Sequence, residues 1–81
     1  MKIQVRLFAA ARQLCGASAV EVELPAGRTY GHLRAALAAQ YPALGPLSPH
    51  FMFAAASQYV SDATPVAADA EIACIPPVSG G

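Results

Sequence analysis

The sequence closes Ile75-Pro76-Pro77-Val78-Ser79-Gly80-Gly81, and the α-carboxyl carried on its two glycines is the group in this chain best suited to chemistry. With an ordinary pKa of about 3.5 that carboxyl is ionised at neutral pH, and it is a poor electrophile until it is activated. Adenylation by ATP converts it to a mixed anhydride, from which an incoming persulfide, thiol or amine displaces AMP. A terminal glycine leaves the carbonyl open on both faces, and Gly80 keeps the tip as thin as a polypeptide allows. Pro76 and Pro77 fix φ near −65° and favour an extended arm. From Pro76 to Gly81 that arm reaches at most about 20 Å, enough to carry its end into a site on another protein.

An 81-residue chain that ends PPVSGG after an apolar, strand-like run resembles the small subunit of molybdopterin synthase, a ubiquitin-like sulfur carrier. The resemblance implies that Gly81 is adenylated and then converted to a thiocarboxylate, that Gly80 supplies clearance, and that Pro76, Pro77, Val78 and Ser79 position the tail. It implies three kinds of partner. These are the large catalytic subunit, in a heterotetramer of two small and two large subunits, a ubiquitin-activating-type adenylyltransferase, and a sulfurtransferase or cysteine desulfurase. The sulfur acceptor would be cyclic pyranopterin monophosphate. No cofactor is expected to stay bound; ATP is used by the activating enzyme, and catalytic groups belong to the partners. A carrier for thiamine thiazole or another sulfur metabolite, or a ubiquitin-like modifier forming isopeptides, would use the same carboxyl.

In Phe8-Ala9-Ala10-Ala11-Arg12-Gln13-Leu14-Cys15-Gly16 the spacing matches the first loop of that family, so Phe8 and Arg12 are the expected partner contacts near the N-terminus. An arginine fork there suits a carboxylate on the partner. Phe51 and Phe53 share one face of a short apolar run with Met52 on the other, so at least one side can be exposed; the two phenylalanines are the second expected docking contacts, with packing in the core as the alternative. Gln13 stands where many relatives are acidic, and Ala55-Ala56 replaces a common Val-Asn pair.

Composition narrows the alternatives. Eighty-one residues, 56% hydrophobic and 12% charged, make one small globular domain. Five basic and five acidic residues cancel, which argues against nucleic acid or an anionic membrane as the main partner. The opening Met1-Lys2-Ile3-Gln4 reads as the start of a strand rather than a signal peptide, and a cytoplasmic protein is expected. Cys15 and Cys74 are too few for a disulfide framework and form no CxxC pair. His32 and His50 have no third ligand near them in the sequence, so no metal site is expected.

The positioning elements follow from periodicity. Residues 2–9 and 19–24 alternate apolar and polar and predict a hairpin, with one or two helical turns over 9–15 closed by Gly16. Thr29 is a plausible N-cap for the main helix, whose stripe Tyr30, Leu33, Leu37 and Tyr41 ends at Pro42. His32 falls where a glutamate would complete a capping box. Residues 42–50 predict an irregular crossover, residues 51–56 and 58–60 short strands, and residues 71–75 a central strand that stops at Pro76. This order predicts an α+β fold of the β-grasp, ubiquitin-like type: a mixed sheet wrapped on one main helix, with first and last strands parallel at its centre. The domain is expected to span residues 1–75, with residues 76–81 as an extended Gly-Gly tail.

Overall fold

The computed structural model describes residues 1–76; the expected tail residues Pro77, Val78, Ser79, Gly80 and Gly81 lie outside the described residues. In chain order the elements are β1 (Lys2–Leu7), α1 (Ala9–Cys15), β2 (Ala19–Glu23), α2 (Tyr30–Gln40), two 3₁₀ turns (Pro42–Leu44 and Ser48–His50), β3 (Met52–Ala55), β4 (Gln58–Val60) and β5 (Ile72–Ile75). The five strands form one mixed sheet in the order β2-β1-β5-β3-β4. β1 runs antiparallel to β2 and parallel to β5, while β3 is antiparallel to both β4 and β5. This is the β-grasp arrangement expected from the sequence, with β5 at the centre.

Alternation places Ile3, Val5 and Leu7 of β1, Val20 and Val22 of β2, and Ile72 and Cys74 of β5 on the buried face. Against them α2 lays Tyr30, Leu33 and Leu37, spaced i, i+3 and i+7, all buried. Tyr41, the fourth residue of the expected stripe, is only half-buried, and its hydroxyl donates to the Glu21 carbonyl at 2.7 Å. Gln40 makes a two-way amide pair with the Glu23 backbone, accepting from its N–H at 3.0 Å and donating to its carbonyl at 2.9 Å. The end of α2 thus covers backbone groups on the outer side of β2, an edge strand that would otherwise offer them for unwanted pairing.

The start of α2 is held by a loop from the far end of the chain. The Tyr30 and Gly31 N–H groups donate to the carbonyls of Thr64 and Asp62 at 3.0 and 2.9 Å, satisfying two of the donors that a helix start leaves without intrahelical partners. His32 takes the glutamate's part in the cap: its Nδ1 accepts from the Thr29 N–H at 3.2 Å and lies 2.8 Å from the Thr29 hydroxyl. Arg34 then ties three segments together. Its Nε and Nη2 donate to the Asp62 carboxylate at 3.3 and 2.8 Å, its Nη1 donates to the Ser48 carbonyl at 2.6 Å, and its guanidinium sits 5.2 Å from the centre of the Phe53 ring.

Left-handed backbone occurs at Gly16, as expected for a C-cap, and at Ala56 and Ser57 in the β3–β4 turn. Two consecutive positive φ values suit the right-handed twist of a tight hairpin, but asparagine and glycine fill them with less strain.

Two outcomes test this packing. Leu37→Ala should cost about 2–5 kcal/mol by removing fully buried methyl groups, and Leu37→Asp should leave the domain unfolded in circular dichroism. The Arg34 hydrogen bond, aided by its charge, holds the Asp62 carboxyl below its ordinary range, against a smaller upward push from burial. A carboxylate whose folded pKa is depressed contributes stability above its unfolded pKa and loses it as pH falls. Thermal melts of Asp62→Asn should therefore differ from the parent at neutral pH and converge with it below about pH 4.

Candidate functional site

β5 leads directly to the tail. It is hydrogen-bonded on both sides, pairing Val5, Arg6 and Leu7 of β1 with Ile72, Ala73 and Cys74, and Met52 of β3 with Ile75. Proline has no N–H to continue the ladder, and the strand ends at Ile75. Pro76, expected at the start of a free arm, is instead buried against the domain.

The face of the sheet opposite α2 carries an apolar surface around this exit. Cross-strand pairing puts Ala54 beside both Ala73 and Tyr59, and Met52 beside Ile75. Phe8, 45% exposed, follows β1 and lines a shallow groove of about 230 Å³ with Arg6, Ala54 and Ala73. Met52 is 53% exposed, and Tyr59 is exposed as well. Large apolar side chains gathered on one face of a small domain mark an interaction surface.

Of the four expected partner contacts, the structure leaves two at the surface. Phe8 belongs to the apolar face, and Arg12 is exposed one helical turn later, lining a different groove of about 480 Å³ with Gln13, Gly16 and Ser18. Phe51 and Phe53 are corrected: each is only 2% exposed. Phe53 stacks against Tyr30 and Phe51 at ring-centre distances of 5.8 and 6.4 Å, so both rings are core and neither can reach a partner. Met52 and Tyr59 are exposed instead. The alternation over 51–53 marks two sides in the sequence, and the structure turns the Met52 side outward.

The described residues hold little reactive chemistry of their own. Burial pushes the Cys74 thiol up to about 12, a rise that the Arg34 charge opposes and Cys15 adds to, so at neutral pH it is protonated and inert. Among the described residues no three His, Cys, Asp or Glu side chains gather to hold a metal ion, and no helix is long and apolar enough to cross a membrane.

The ThiS family model matches residues 5–81, nearly the whole chain. The chain belongs to the ThiS family. Two relatives called molybdopterin synthase sulfur carrier subunit support the same assignment. One, from Caenorhabditis briggsae, is 36% identical over 83 residues, covering 100% of this chain and 99% of the relative; the other, from Arabidopsis thaliana, is 33% identical over 81 residues, covering 100% and 84%. Among solved structures, SAMP1 from Haloferax volcanii superposes with a TM-score of 0.84 at 27% identity, covering both chains completely. A chain in the complex of subunits 1 and 2 of the Helicobacter pylori molybdopterin-converting factor shares the fold at a TM-score of 0.66 and 21% identity, again over both whole chains.

This ThiS-family chain separates its two aromatic sets cleanly, and substitution tests the separation. Phe8→Ser and Met52→Ser should each stay within about 0.5 kcal/mol of the parent in denaturant melts, as exposed positions do. Phe53→Ala should cost about 3–5 kcal/mol, as loss of a buried aromatic ring does.

Proposed function

We propose that this chain is the sulfur carrier subunit of a molybdopterin synthase, with Gly81 as the covalent carrier. The observation that supports this most directly is the end-to-end match to relatives of that name, in a chain whose central strand runs straight into Pro-Pro-Val-Ser-Gly-Gly. In this reading a ubiquitin-activating-type adenylyltransferase joins the Gly81 carboxylate to AMP at the expense of ATP, releasing pyrophosphate. A sulfurtransferase or cysteine desulfurase supplies sulfur as a persulfide, whose outer sulfur displaces AMP to give an acyl disulfide; a second thiol then reduces the S–S bond, forming its own disulfide and leaving a thiocarboxylate. The large synthase subunit then receives the tail, and the thiocarboxylate sulfur passes to cyclic pyranopterin monophosphate. Two such transfers build the dithiolene that binds molybdenum or tungsten.

The folded body contributes presentation. Pro77, Val78 and Ser79 space the glycines from the domain, and Gly80 lets the chain pass a narrow channel. The apolar face of Phe8, Met52, Ile75 and Tyr59 docks on the large subunit and aims the tail, with Arg12 as a polar contact beside it. The assembly is a heterotetramer of two carrier and two large subunits, and it works in the cytoplasm.

Deleting Gly81 tests the proposal. Co-expressed with its activating enzyme, the parent protein should yield an intact-mass species in which one oxygen is exchanged for sulfur; the deletion variant should yield none and support no pterin sulfuration, yet melt at the parental temperature. Phe8→Asp or Met52→Asp should weaken association with the large subunit at least about tenfold, equivalent to about 1.4 kcal/mol, in titration calorimetry. A ladder of lysine-linked target proteins that needs Gly81, with no sulfur-exchanged species, would favour the modifier reading suggested by the likeness to SAMP1.

A further inference from the structure

An activated carboxyl end is an acylating agent, and the protein that carries it is the amine source always at hand. Lysine is among the commonest residues of soluble proteins, yet Lys2 is the one lysine in this sequence; the other four basic residues, Arg6, Arg12, Arg28 and Arg34, are arginines. A guanidinium stays protonated at any physiological pH and does not attack acyl groups. Nucleophilic amines at the surface therefore reduce to Lys2 and the α-amine of Met1.

The fold treats these two amines differently. The Met1 amine donates to the Leu24 carbonyl at 2.8 Å and sits 3.4 Å from Glu23 Oε1, so both partners hold it against the β1–β2 end of the sheet. The Lys2 side chain is 71% exposed, and among the described residues its one ion-pair partner is the Glu21 carboxylate at 3.7 Å across the same strand pair. An exposed ion pair of that length is worth less than about 1 kcal/mol and opens readily.

We propose that Lys2 is the single side chain at which this protein can be acylated by the activated carboxyl end of a second copy, giving an isopeptide between Gly81 and Lys2. The inference rests on the reading of Gly81 as an activated terminus. In the step itself the deprotonated Lys2 Nζ attacks the Gly81 carbonyl of an acyl adenylate or thioester. The C–N bond forms as the C–O or C–S bond breaks, AMP or thiol leaves, and the amine's second proton passes to solvent. No oxidant or reductant is needed.

The parallel pairing of β1 with β5 makes the acceptor a second copy. Leu7 lies level with Cys74, so Lys2 and Pro76 sit at opposite ends of the sheet. Five residues of β1 and two of β5 separate them, about 23 Å at 3.3 Å per residue. The five residues after Pro76 span at most about 17 Å, and the Lys2 side chain covers about 6 Å more, so the two groups of one chain meet only with tail and side chain both fully extended along one line. A neighbour's amine is met without that strain and is the readier acceptor.

Full-length protein with Lys2→Arg and a chemically installed Gly81 aryl thioester is mixed with unmodified parent or with Lys2→Arg protein as acceptor, and glycine methyl ester serves as a free-amine control for a live thioester. The parent acceptor should give an isopeptide-linked dimer whose branched peptide maps to Lys2, and the Lys2→Arg acceptor at least about tenfold less. The parent thioester alone should give dimers and longer chains. Linkage to Met1, equal dimer with the Lys2→Arg acceptor, a cyclised parent monomer, or no dimer while the free amine consumes the thioester would each overturn the proposal. Because the thioester is installed by chemistry, these outcomes do not depend on sulfur loading, and failure to detect a thiocarboxylate in cells would leave them standing.

Discussion

Double-sided pairing of β5 is the constraint on which the rest of this structure depends. A strand bonded to β1 on one side and β3 on the other, with Ile72 and Cys74 buried beneath α2, cannot shift without breaking two ladders and the core together. The residue that leaves it is therefore fixed in position and direction. Arg34 reinforces that frame from the other side of the molecule, clamping α2 to the 42–50 crossover and to the loop that precedes β5. On the sulfur-carrier reading an active group carried beyond Pro76 needs such a mount, because a partner docked on the rigid face then meets the end of β5 at a predictable place.

The mount also explains how the sheet's two faces divide. The inner face spends its large side chains on α2, and the outer face holds Phe8, Met52 and Tyr59 with small alanines between them. Small residues beside exposed large ones leave a shallow relief into which another protein's side chains can fit. Reactive groups are kept away from this surface: Cys74 is buried and protonated, and Lys2 lies at the far end of β1 from the exit of β5. On the sulfur-carrier reading this follows naturally, since the partners bring the chemistry.

Much of the fold was legible because periodicity and punctuation agreed. The alternation of Ile3, Val5 and Leu7, the stripe of Tyr30, Leu33 and Leu37, Gly16 at a left-handed cap and Pro42 after the helix each named an element that the structure contains. Less legible was anything depending on which side of a short element faces in. Over Phe51-Met52-Phe53 the alternation is plain, but both sides are apolar, and only the packing of Tyr30 and Arg34 onto Phe53 selects the phenylalanines for the interior. The Arg34–Asp62 pair spans 28 residues and has no local signal at all. His32 as a capping acceptor was half visible, since the position was recognised but imidazole is not the usual residue there.

The central claim is that the Gly81 carboxyl is a reagent that other proteins load and unload. Appending one alanine after Gly81 and measuring pterin sulfuration by the reconstituted synthase, with the carrier's intact mass read before and after, tests it most directly. The account predicts no thiocarboxylate and no sulfur transfer, with folding unchanged. Full sulfur transfer by a carrier that still bears the extra alanine would contradict it.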